Sequence, residues 1–391
     1  MKGLHVRVDR SNTRLSTTIP FLSFVLLASF AVRANYGQLR NMQPRALPSA
    51  VGVPRLSHAP PVESWGLMAS CLRGTGVASF DYADFGEKYL GLPRPYFFCI
   101  RSATEPTDAK KIAERFGEGR VVNIDGWPAS DIEVDAIIKP YKLSHLYMLK
   151  SGAREEDGNS LLAVSTTAKN LIHVVFDATN PHGDRFAKIA PTVAGEAPVV
   201  PHLVRPLPSG NDTLRSELGI PDDHAVLCRY GGYDSFNINY AKQAVLKAAE
   251  LRRDLVFLFV NTAFFAENSD QIYFLRRVQD DEDKARFVRT CDAMIHARHE
   301  GEVFSLAIAE FAVLQRRVIT RKEPDTQVHI QELKHNALLY DDFESLLSIL
   351  LSFNRSVAFD ETVASYEKYL PEPVMDIFAK VFLDEYSTQM T

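Results

Sequence analysis

The segment from residue 293 to residue 314 combines residue types and spacings that could bind a charged ligand. An apolar run over 293–297 predicts a β-strand, and a second run over 304–314 predicts a helix that carries Glu310. A charged elbow with one glycine, residues 298–302, joins the two. In open α/β sheets such junctions bind anions, because the first helical amides lack intrahelical partners and the helix dipole favours negative charge. The segment therefore predicts a diphosphate site.

The position of Glu310 indicates what accompanies the diphosphate. At ~3.6 residues per turn, Glu310 lies about one and a half turns into the predicted helix, so its carboxylate can reach past a phosphate at the helix N-terminus. An ionised carboxylate accepts two hydrogen bonds from neighbouring hydroxyl groups. We therefore expect Glu310 to bind the ribose of a nucleotide.

The spacing of Glu302 and Glu310 resembles the E-x7-E motif of the group-one (family-four-like) retaining glycosyltransferases, which have the GT-B fold. The residues between the two glutamates include Phe304-Ser305-Leu306, where that family has a related sequence. Residues 315–320 (QRRVIT) and 336–340 (NALLY) are similar to the segments that follow in the family. The resemblance is good in the second half of the chain and weak in the first.

This resemblance implies a hexosyltransferase-type enzyme that moves a sugar from a nucleotide-diphosphate sugar to an acceptor hydroxyl with retention. By resemblance, amides near the helix start hold the diphosphate, Glu310 holds the ribose, and Glu302, as the catalytic residue, faces the donor sugar. The donor-binding residues are then Arg229, Gly231, Gly232, Arg298, Gly301, Phe304, Ser305, Leu306 and Glu310. The family needs no bound metal and no cofactor, since the nucleotide sugar is a co-substrate.

Two positions depart from the family pattern. Ser305 replaces the usual glycine, which reduces the freedom of the backbone to approach a phosphate. Asp234 stands five residues after Arg229, where the family has a lysine. We expect Arg298 or Lys242 to supply the second positive charge beside Arg229.

A polar segment in the first half is the candidate for binding the acceptor. Residues 173–185 begin as a buried strand and end in a polar turn, at the carboxyl end of a predicted parallel strand. His182 with Asp184 is expected to orient an acceptor hydroxyl, with Asp177 as the alternative. The competing interpretation is structural, because such residues also form turns and cap helices.

Two further functions fit the same architecture. A GT-B-like sugar-nucleotide epimerase would need acid and base groups beside the donor carbons, for which His173 or His182 would serve. A catalytically inactive carbohydrate- or nucleotide-binding relative is the third hypothesis, which Ser305 and the missing lysine favour.

The composition of the chain limits the class of protein. Its 391 residues are enough for two domains, and 46% hydrophobic with 24% charged residues is typical of a globular protein. A net charge of −5 argues against a nucleic-acid binder. Metal-ligand spacings such as C-x-x-C and H-E-x-x-H are missing from the sequence, so no metal site is predicted. Cys228 and Cys291 adjoin apolar runs and are expected to be buried thiols.

The N-terminus reads as a targeting segment. Basic residues within 2–14 precede an apolar run over 19–32, and Val32-Arg33-Ala34 fits a cleavage site, which is the order of a secretory signal peptide. The run is shorter than the ~20 residues that span a membrane, which favours a signal peptide over a signal-anchor with membrane association. The lack of acidic residues over 10–62 is also typical of organelle transit peptides. The secretory pathway is the predicted location, with an organelle or the cytoplasm as alternatives.

Alternating strand and helix patterns predict an α/β protein with two parallel-sheet halves in tandem. Together with the resemblance, this implies the GT-B fold, in which two Rossmann-like domains face each other across a cleft. The predicted segments are a signal peptide or short signal-anchor (1–34), a linker (35–62), an acceptor domain (63–205), a donor domain (206–355) and a C-terminal helical segment (356–391). This last segment resembles the helix that crosses back to the first domain in GT-B enzymes, and an ordinary terminal helix is the alternative. The predicted strands are 96–100, 121–124, 145–149, 161–164, 172–176, 225–228, 255–260, 293–297 and 317–320. The predicted helices are 109–116, 132–141, 239–251, 280–289, 304–314, 343–352 and 360–386.

Overall fold

The computed structural model describes residues 62–69, 74–101, 106–152, 162–278, 280–322, 326–357 and 366–384. The predicted targeting segment and all of the predicted linker up to residue 61 lie outside these ranges. Within the described ranges, no helix combines the length and the apolar character needed to cross a membrane.

The first half of the chain forms a six-stranded parallel sheet with its crossover helices. Its elements are β1 (Trp65–Ala69), α1 (Gly74–Leu90), β2 (Tyr96–Ile100), α2 (Pro106–Phe116), β3 (Val121–Ile124), α3 (Asp131–Ile138), β4 (His145–Lys150), β5 (Lys169–Val174) and β6 (Arg185–Lys188). The strand order is β3-β2-β1-β4-β5-β6, and each neighbouring pair is parallel.

The second half forms a second six-stranded parallel sheet, of order β14-β12-β10-β7-β8-β9. Its elements are β7 (Ala225–Tyr230), α4 (Asn239–Leu251), β8 (Leu255–Val260), β9 (Ile272–Leu275), α5 (Asp281–Thr290), β10 (Ala293–Ile295), β11 (Gly301–Glu302), α6 (Leu306–Val313), β12 (Arg317–Arg321), β13 (Thr326–Gln327), α7 (Val328–Leu333), β14 (Ala337–Tyr340) and α8 (Phe343–Ser352). The short strands β11 and β13 pair with each other outside this sheet.

Both sheets have the same order when their strands are numbered within each half, so the predicted pair of Rossmann-like α/β halves is confirmed. The strand order reverses between β1 and β4 and again between β7 and β10. In open parallel sheets, the crevice outside the carboxyl ends of the two strands at such a reversal is where ligands bind. The second sheet therefore offers a crevice at the ends of β7 and β10.

The second sheet is stable because its central strands and the helices against it are apolar. Strand β8 has the sequence LVFLFV and is buried throughout, as expected for a parallel strand covered on both faces. Helix α4 buries Ala241, Ala244, Val245, Ala248 and Ala249, a stripe with the 3.6-residue helical period. Four of these side chains are alanines, so α4 can approach the sheet closely.

The C-terminal segment packs on the first half of the chain. Helix α9 (Pro371–Phe378) continues into a π-helical turn (Ala379–Leu383). The buried ring of Phe378 lies 5.4 Å from that of Tyr82 and 5.8 Å from that of Tyr147, both of the first half. The Val204 amide also donates to the Tyr369 carbonyl (2.7 Å). The C-terminal segment thus contributes to the core of the first half.

A cluster of charges around Arg205 links the two halves. Its Nη2 atom lies 2.7 Å from a carboxylate oxygen of Asp81 and 2.7 Å from one of Asp84, both on α1. Its Nε atom lies 3.8 Å from Asp281 at the start of α5, and Lys111 of α2 lies 3.7 Å from Asp281. Burial raises the pKa of Asp81 to about 6, although Arg205 opposes this effect. One arginine therefore stabilises the junction of α1 with α5.

Cys228 and Cys291 form a disulfide bond, so the expectation that they are buried thiols is wrong. The bond joins β7 to the residue after α5, and the two cysteines are 63 positions apart in the chain. Their Cα atoms are 5.7 Å apart, within the range that a disulfide requires. The apolar strand pattern had correctly placed both residues in the core, but not next to each other.

One predicted strand of the first half is not formed. Residues 162–164 have no strand structure, because the Val164 amide donates to Asp131 Oδ1 (2.9 Å) at the start of α3 rather than to a neighbouring strand. Strands β1, β6, β9, β11, β13 and β14 and helices α1 and α7 were not predicted.

We expect replacement of Asp81 by asparagine to change how stability depends on pH. Because the pKa of Asp81 is higher in the folded protein than in the unfolded chain, its contribution to stability is greatest below about pH 4 and is lost as the pH rises to about 6. The free energy of unfolding of the wild type should fall relative to that of Asp81→Asn over this range, by on the order of 2 to 3 kcal/mol. Urea unfolding at several pH values measures the difference.

Asp84→Asn is the matched control. Arg205 and Arg115 lower the pKa of Asp84 despite its burial. The contribution of Asp84 to stability is therefore present above about pH 4 and is lost as the pH falls through the folded-state pKa. The free energy of unfolding of the wild type should thus rise with pH relative to that of Asp84→Asn, the opposite of the change expected for Asp81→Asn. A difference between wild type and Asp81→Asn that is flat from pH 4 to pH 6 would contradict the raised pKa.

Candidate functional site

The predicted elbow follows β10 and ends at the N-terminus of α6. Gly301 has φ of +72°, a left-handed conformation that favours glycine, and it begins the short strand β11. Ser305 is the N-cap of α6, and its hydroxyl accepts a hydrogen bond from the Ile308 amide (3.3 Å). The amides of Leu306 and Ala307 are the first two of the helix and have no intrahelical partner. Two main-chain donors are thus available for an anion at this point.

The geometry of Ser305 explains how a serine can replace glycine there. Its φ is −94° and its ψ is 105°, a conformation open to any residue. The position requires no left-handed backbone, and the serine hydroxyl adds a helix cap that glycine lacks. The substitution is therefore compatible with a functional helix N-terminus.

Glu310 is buried and has one ion-pair partner. Its Oε1 atom accepts a hydrogen bond from Lys284 Nζ of α5 at 2.8 Å, while its buried Oε2 atom has no hydrogen-bond partner among the described residues. The Lys284 ammonium also lies 5.7 Å from the centre of the Tyr230 ring, at the carboxyl end of β7. Glu310 is only 5% exposed. Through Lys284, its carboxylate lies beside Tyr230, at the carboxyl end of the crevice strand β7.

The charges of this pair depend on each other. Burial alone would lower the pKa of Lys284, but the neighbouring Glu310 carboxylate reverses the effect and raises it, so the ammonium stays charged. Burial raises the pKa of Glu310, and Lys284 partly offsets that change. Lys284 was not among the predicted site residues because the sequence gives no sign of a contact across 26 positions.

Glu302 lies at the end of the elbow, between a histidine and an arginine. Its Oε2 atom is 3.0 Å from Arg298 Nη1, and its Oε1 atom is 3.4 Å from His296 Nε2. Burial would raise the pKa of Glu302, but its contacts with His296 and Arg298 outweigh that effect and lower it. Glu302 is therefore an ionised carboxylate whose orientation is set from two sides.

Arg229 lies inside the loop after β7 with its Nη donors on protein acceptors, and its expected pairing with a phosphate stays a prediction. Its Nη1 atom donates to the Asn261 carbonyl (2.8 Å) and to Thr262 Oγ1 (2.6 Å), and its Nη2 atom donates to the Gly232 carbonyl (2.5 Å) and to Ser235 Oγ (2.6 Å). Burial lowers its pKa to about 10, with Glu302 opposing, so it remains charged at neutral pH. Its donors shape the loop after β7 from within.

The glycine pair in this loop serves the same arginine. A Cβ atom at Gly231 would lie 3.2 Å from Arg229 Nη2, so a larger residue would displace the guanidinium. The Gly231 carbonyl also accepts from Asn261 Nδ2 (2.8 Å). Gly231 and Gly232 therefore permit the tight packing of the loop around Arg229.

The loop after β7 and the elbow after β10 are neighbours, as the strand order requires. Asn237 Oδ1 accepts from the His299 amide (2.8 Å), and Asn237 Nδ2 lies 3.3 Å from Glu300 Oε2. Arg298 is 36% exposed and is thus a cation that can reach the crevice. Lys242, the other cation expected there, is half-buried in the first turn of α4.

Phe304 contacts one ring of the first half and one of the C-terminal segment, and its expected role in donor binding stays a prediction. Its ring centre lies 5.7 Å from that of His202 and 5.0 Å from that of Tyr369. His202 is buried in the first half, and burial lowers its pKa to about 4. Phe304 therefore connects the elbow to the junction between the halves.

The structure does not bring His182 and Asp184 together. His182 Nε2 lies 3.1 Å from Lys150 Nζ, at the end of β4, and its Nδ1 atom lies 2.8 Å from the Asn180 carbonyl. Asp184 Oδ2 instead accepts from the Asn170 amide (2.7 Å), at the amino end of β5. That edge is opposite to the carboxyl ends of the strands, so its position does not favour acceptor binding by Asp184.

Asp177 and Lys150 are two further polar residues of the predicted acceptor side. Asp177 Oδ1 accepts from the Thr179 amide (2.8 Å), the local turn contact that the structural interpretation expected. Lys150 is buried, and burial lowers its pKa to about 8. Lys150 was not predicted because its strand pattern is otherwise apolar. Within the described ranges, no group of three or more metal-ligating side chains is positioned to hold an ion.

Comparison with known proteins identifies the fold. No family model matches the chain, and no curated protein matches it by sequence. The Anabaena protein Alr3699/HepE, crystallised with UDP and glucose, is similar in structure with a TM-score of 0.53 and 13% identity, over 83% of this chain and 96% of that one. A glycosyltransferase from Rickettsia africae has a TM-score of 0.50 and 13% identity, over 81% and 94%.

A third similar structure is that of a candidate UDP-N-acetylglucosamine 2-epimerase from Listeria monocytogenes, with a TM-score of 0.51 and 11% identity, over 82% of this chain and 96% of that one. At such low sequence identity, the structural similarity shows the fold and not the activity. The predicted GT-B fold, with two Rossmann-like domains, is confirmed by these likenesses.

We expect Arg229→Lys to destabilise the protein. Lysine keeps the charge but cannot replace the forked donors, so buried acceptors such as the Asn261 and Gly232 carbonyls lose their partners, at about 1 to 3 kcal/mol each. The free energy of unfolding, measured by urea denaturation, should fall by roughly 2 to 4 kcal/mol.

Arg298→Lys, at a partly exposed position, is the control and should change stability by less than about 0.5 kcal/mol. An Arg229→Lys variant with wild-type stability but weakened nucleotide binding would return Arg229 to the role of a phosphate ligand.

Proposed function

We propose that this protein transfers a sugar from a nucleotide-diphosphate sugar to an acceptor hydroxyl. The observation that carries the proposal is the Oε2 atom of Glu310, a buried carboxylate oxygen without a hydrogen-bond partner among the described residues. Buried polar atoms in native proteins nearly always have partners, so an orphaned acceptor beside a ligand crevice calls for a donor from outside. A ribose hydroxyl is such a donor.

The remaining parts of the nucleotide have matching groups nearby. The free amides of Leu306 and Ala307 suit the diphosphate, since the N-terminus of a helix combines main-chain donors with a favourable dipole. Arg298 supplies a positive charge at the elbow, four residues from Glu302. The second positive charge is that of Lys284, which already lies beside Glu310.

These groups suggest how the reaction is promoted. When the diphosphate departs, the negative charge that develops on it is stabilised by the helix amides and by Arg298. Glu302 is ionised and faces the donor sugar in this proposal, so it positions sugar hydroxyls. The acceptor oxygen bonds to the sugar carbon on the face from which the diphosphate leaves, and its proton passes to the departing diphosphate. The configuration is thereby retained, and no carboxylate nucleophile is needed. Positioning and charge stabilisation carry the catalysis.

The known structures with the same fold are consistent with a nucleotide-sugar ligand. Alr3699/HepE was crystallised with UDP-glucose as well as with UDP and glucose. A sugar-nucleotide epimerase is the second candidate, which the Listeria likeness and the histidine beside Glu302 favour. Conversion of a nucleotide sugar without any acceptor would select the epimerase, and transfer that requires an acceptor would select the glycosyltransferase.

We also propose that the protein enters the secretory pathway. A disulfide such as Cys228–Cys291 persists in oxidising compartments, whereas the cytosol keeps cysteines as free thiols. Protein isolated from its native cells and alkylated without reduction should give one linked peptide pair containing both cysteines by mass spectrometry. Recovery of both cysteines in alkylated form would place the protein in a reducing compartment.

Glu310→Gln tests the proposed site most directly within this function. The variant keeps the shape of the side chain but removes the charge that a ribose and Lys284 share, so nucleotide-sugar binding should weaken by at least ~10-fold. Arg298→Ala should have an effect of similar size. A thermal-shift screen of UDP-, GDP- and ADP-sugars selects the ligand, because binding raises stability by mass action. Calorimetry then gives the affinity.

Glu87→Gln is the matched control. Glu87 lies on α1 of the first half and pairs with Arg115 at 2.9 Å, so its loss should leave nucleotide affinity unchanged. Unchanged affinity in both Glu310→Gln and Arg298→Ala would remove the proposed donor site.

A further inference from the structure

Three buried polar side chains form a chain of hydrogen bonds behind Glu302. His296 Nδ1 lies 3.0 Å from Thr320 Oγ1, and Thr320 Oγ1 lies 3.1 Å from His329 Nε2. His296 follows β10, Thr320 is in β12, and His329 is in α7. Thr320 and His329 are almost completely buried, and His296 is nearly so. Three different elements thus meet at the back of one carboxylate.

The direction of each hydrogen bond follows from which of its two groups can donate a proton. An ionised carboxylate only accepts, so the His296 Nε2 atom that faces Glu302 must carry a proton. When the ring carries this one proton, its Nδ1 atom is bare and accepts from the Thr320 hydroxyl. The Thr320 oxygen in turn accepts from His329 Nε2–H. Burial lowers the pKa of His329 to about 3, so His329 stays neutral.

The position of the His296 ring is fixed from further directions. Its amide donates to the Ile319 carbonyl (2.8 Å), and its carbonyl accepts from the buried Tyr340 hydroxyl (2.9 Å). The ring also lies 5.3 Å from that of His329. Backbone and ring of His296 are therefore held together, so its Nε2–H is directed at Glu302 before any ligand binds.

We propose that His296, locked by Thr320 and His329, is a positioning residue that orients the Glu302 carboxylate toward the sugar of the donor. Arg298 holds the other oxygen of Glu302, so the two contacts together allow one orientation of the carboxylate. The inference rests on the proposed function, since it assumes a donor sugar beside Glu302. On this proposal, recognition of the donor sugar depends on His296, which does not contact the ligand, and recognition of the nucleotide does not.

The test compares the affinities of wild type and variants for UDP and for UDP-glucose by calorimetry. His296→Phe removes the donor to Glu302 and should weaken UDP-glucose binding by ~10-fold, as loss of a hydrogen bond to a charged group predicts, while UDP binding changes by less than ~2-fold. His296→Gln keeps an N–H of similar reach and should restore affinity to within ~3-fold of wild type. Thr320→Val removes the hydroxyl with little change of shape and should give an intermediate loss.

The control is His145→Gln, at a buried histidine near the amino end of β4, which should leave both affinities unchanged. Histidine ¹⁵N NMR of the unliganded protein supplies a second readout. The proposed order of hydrogen bonds is supported if His296 has the Nε2–H form in the wild type and if the population of that form falls in Thr320→Val. The Nδ1–H form in the wild type overturns it. Equal losses for UDP and UDP-glucose in His296→Phe, or no loss in either, overturn the positioning role. If the wild type binds neither these compounds nor any GDP- or ADP-sugar, the proposed function fails first, and the positioning role fails with it. If a GDP- or ADP-sugar binds instead, the same comparison is made with that sugar and its nucleoside diphosphate.

Discussion

The ion pair between Glu310 and Lys284 is the interaction on which the proposed site depends. Taking a carboxylate out of water costs several kcal/mol unless a partner compensates, and here an ammonium 2.8 Å away compensates one oxygen only. A protein that served structure alone could replace such a pair by apolar residues at little cost. The pair holds an unsatisfied acceptor at a fixed place, next to the free amides that open α6. The Tyr230 ring, 5.7 Å from the Lys284 ammonium, and the first turn of α5, which carries Lys284, border the ion pair.

Two parallel sheets of the same strand order create the crevice, and a small number of contacts fix its walls. The loop after β7 is shaped by Arg229 from inside, while the elbow after β10 is tied to that loop through Asn237. Phe304 and Arg205 then connect the second half to the first, one through ring contacts and the other through carboxylates on α1 and α5. The helix N-terminus, Glu302 and Glu310 are thus presented by rigid elements, which favours a binding site that exists before the ligand arrives.

The sequence predicted best those features that depend on local pattern. Helices 239–251 and 343–352 and strands 96–100, 121–124 and 255–260 were predicted with the bounds that the structure has, because their apolar periods and flanking residues leave no alternative. Helix α1, with three glycines and weak amphipathic character, gave no such signal. The contacts that were missed join residues far apart in the chain: Cys228 with Cys291, Lys284 with Glu310, and His296 with Thr320 and His329. Arg229 shows the same limit, since its residue type suggested a phosphate ligand and only the folded loop reveals that carbonyl oxygens occupy its donors.

A crystal structure of the protein with bound UDP would show whether the crevice binds the nucleotide as proposed. We expect the diphosphate to lie within hydrogen-bond distance of the Leu306 and Ala307 amides, with a ribose hydroxyl donating to Oε2 of Glu310 while Lys284 remains on Oε1. A nucleotide bound elsewhere, or one bound in the crevice with Glu310 Oε2 still unpartnered, would contradict it.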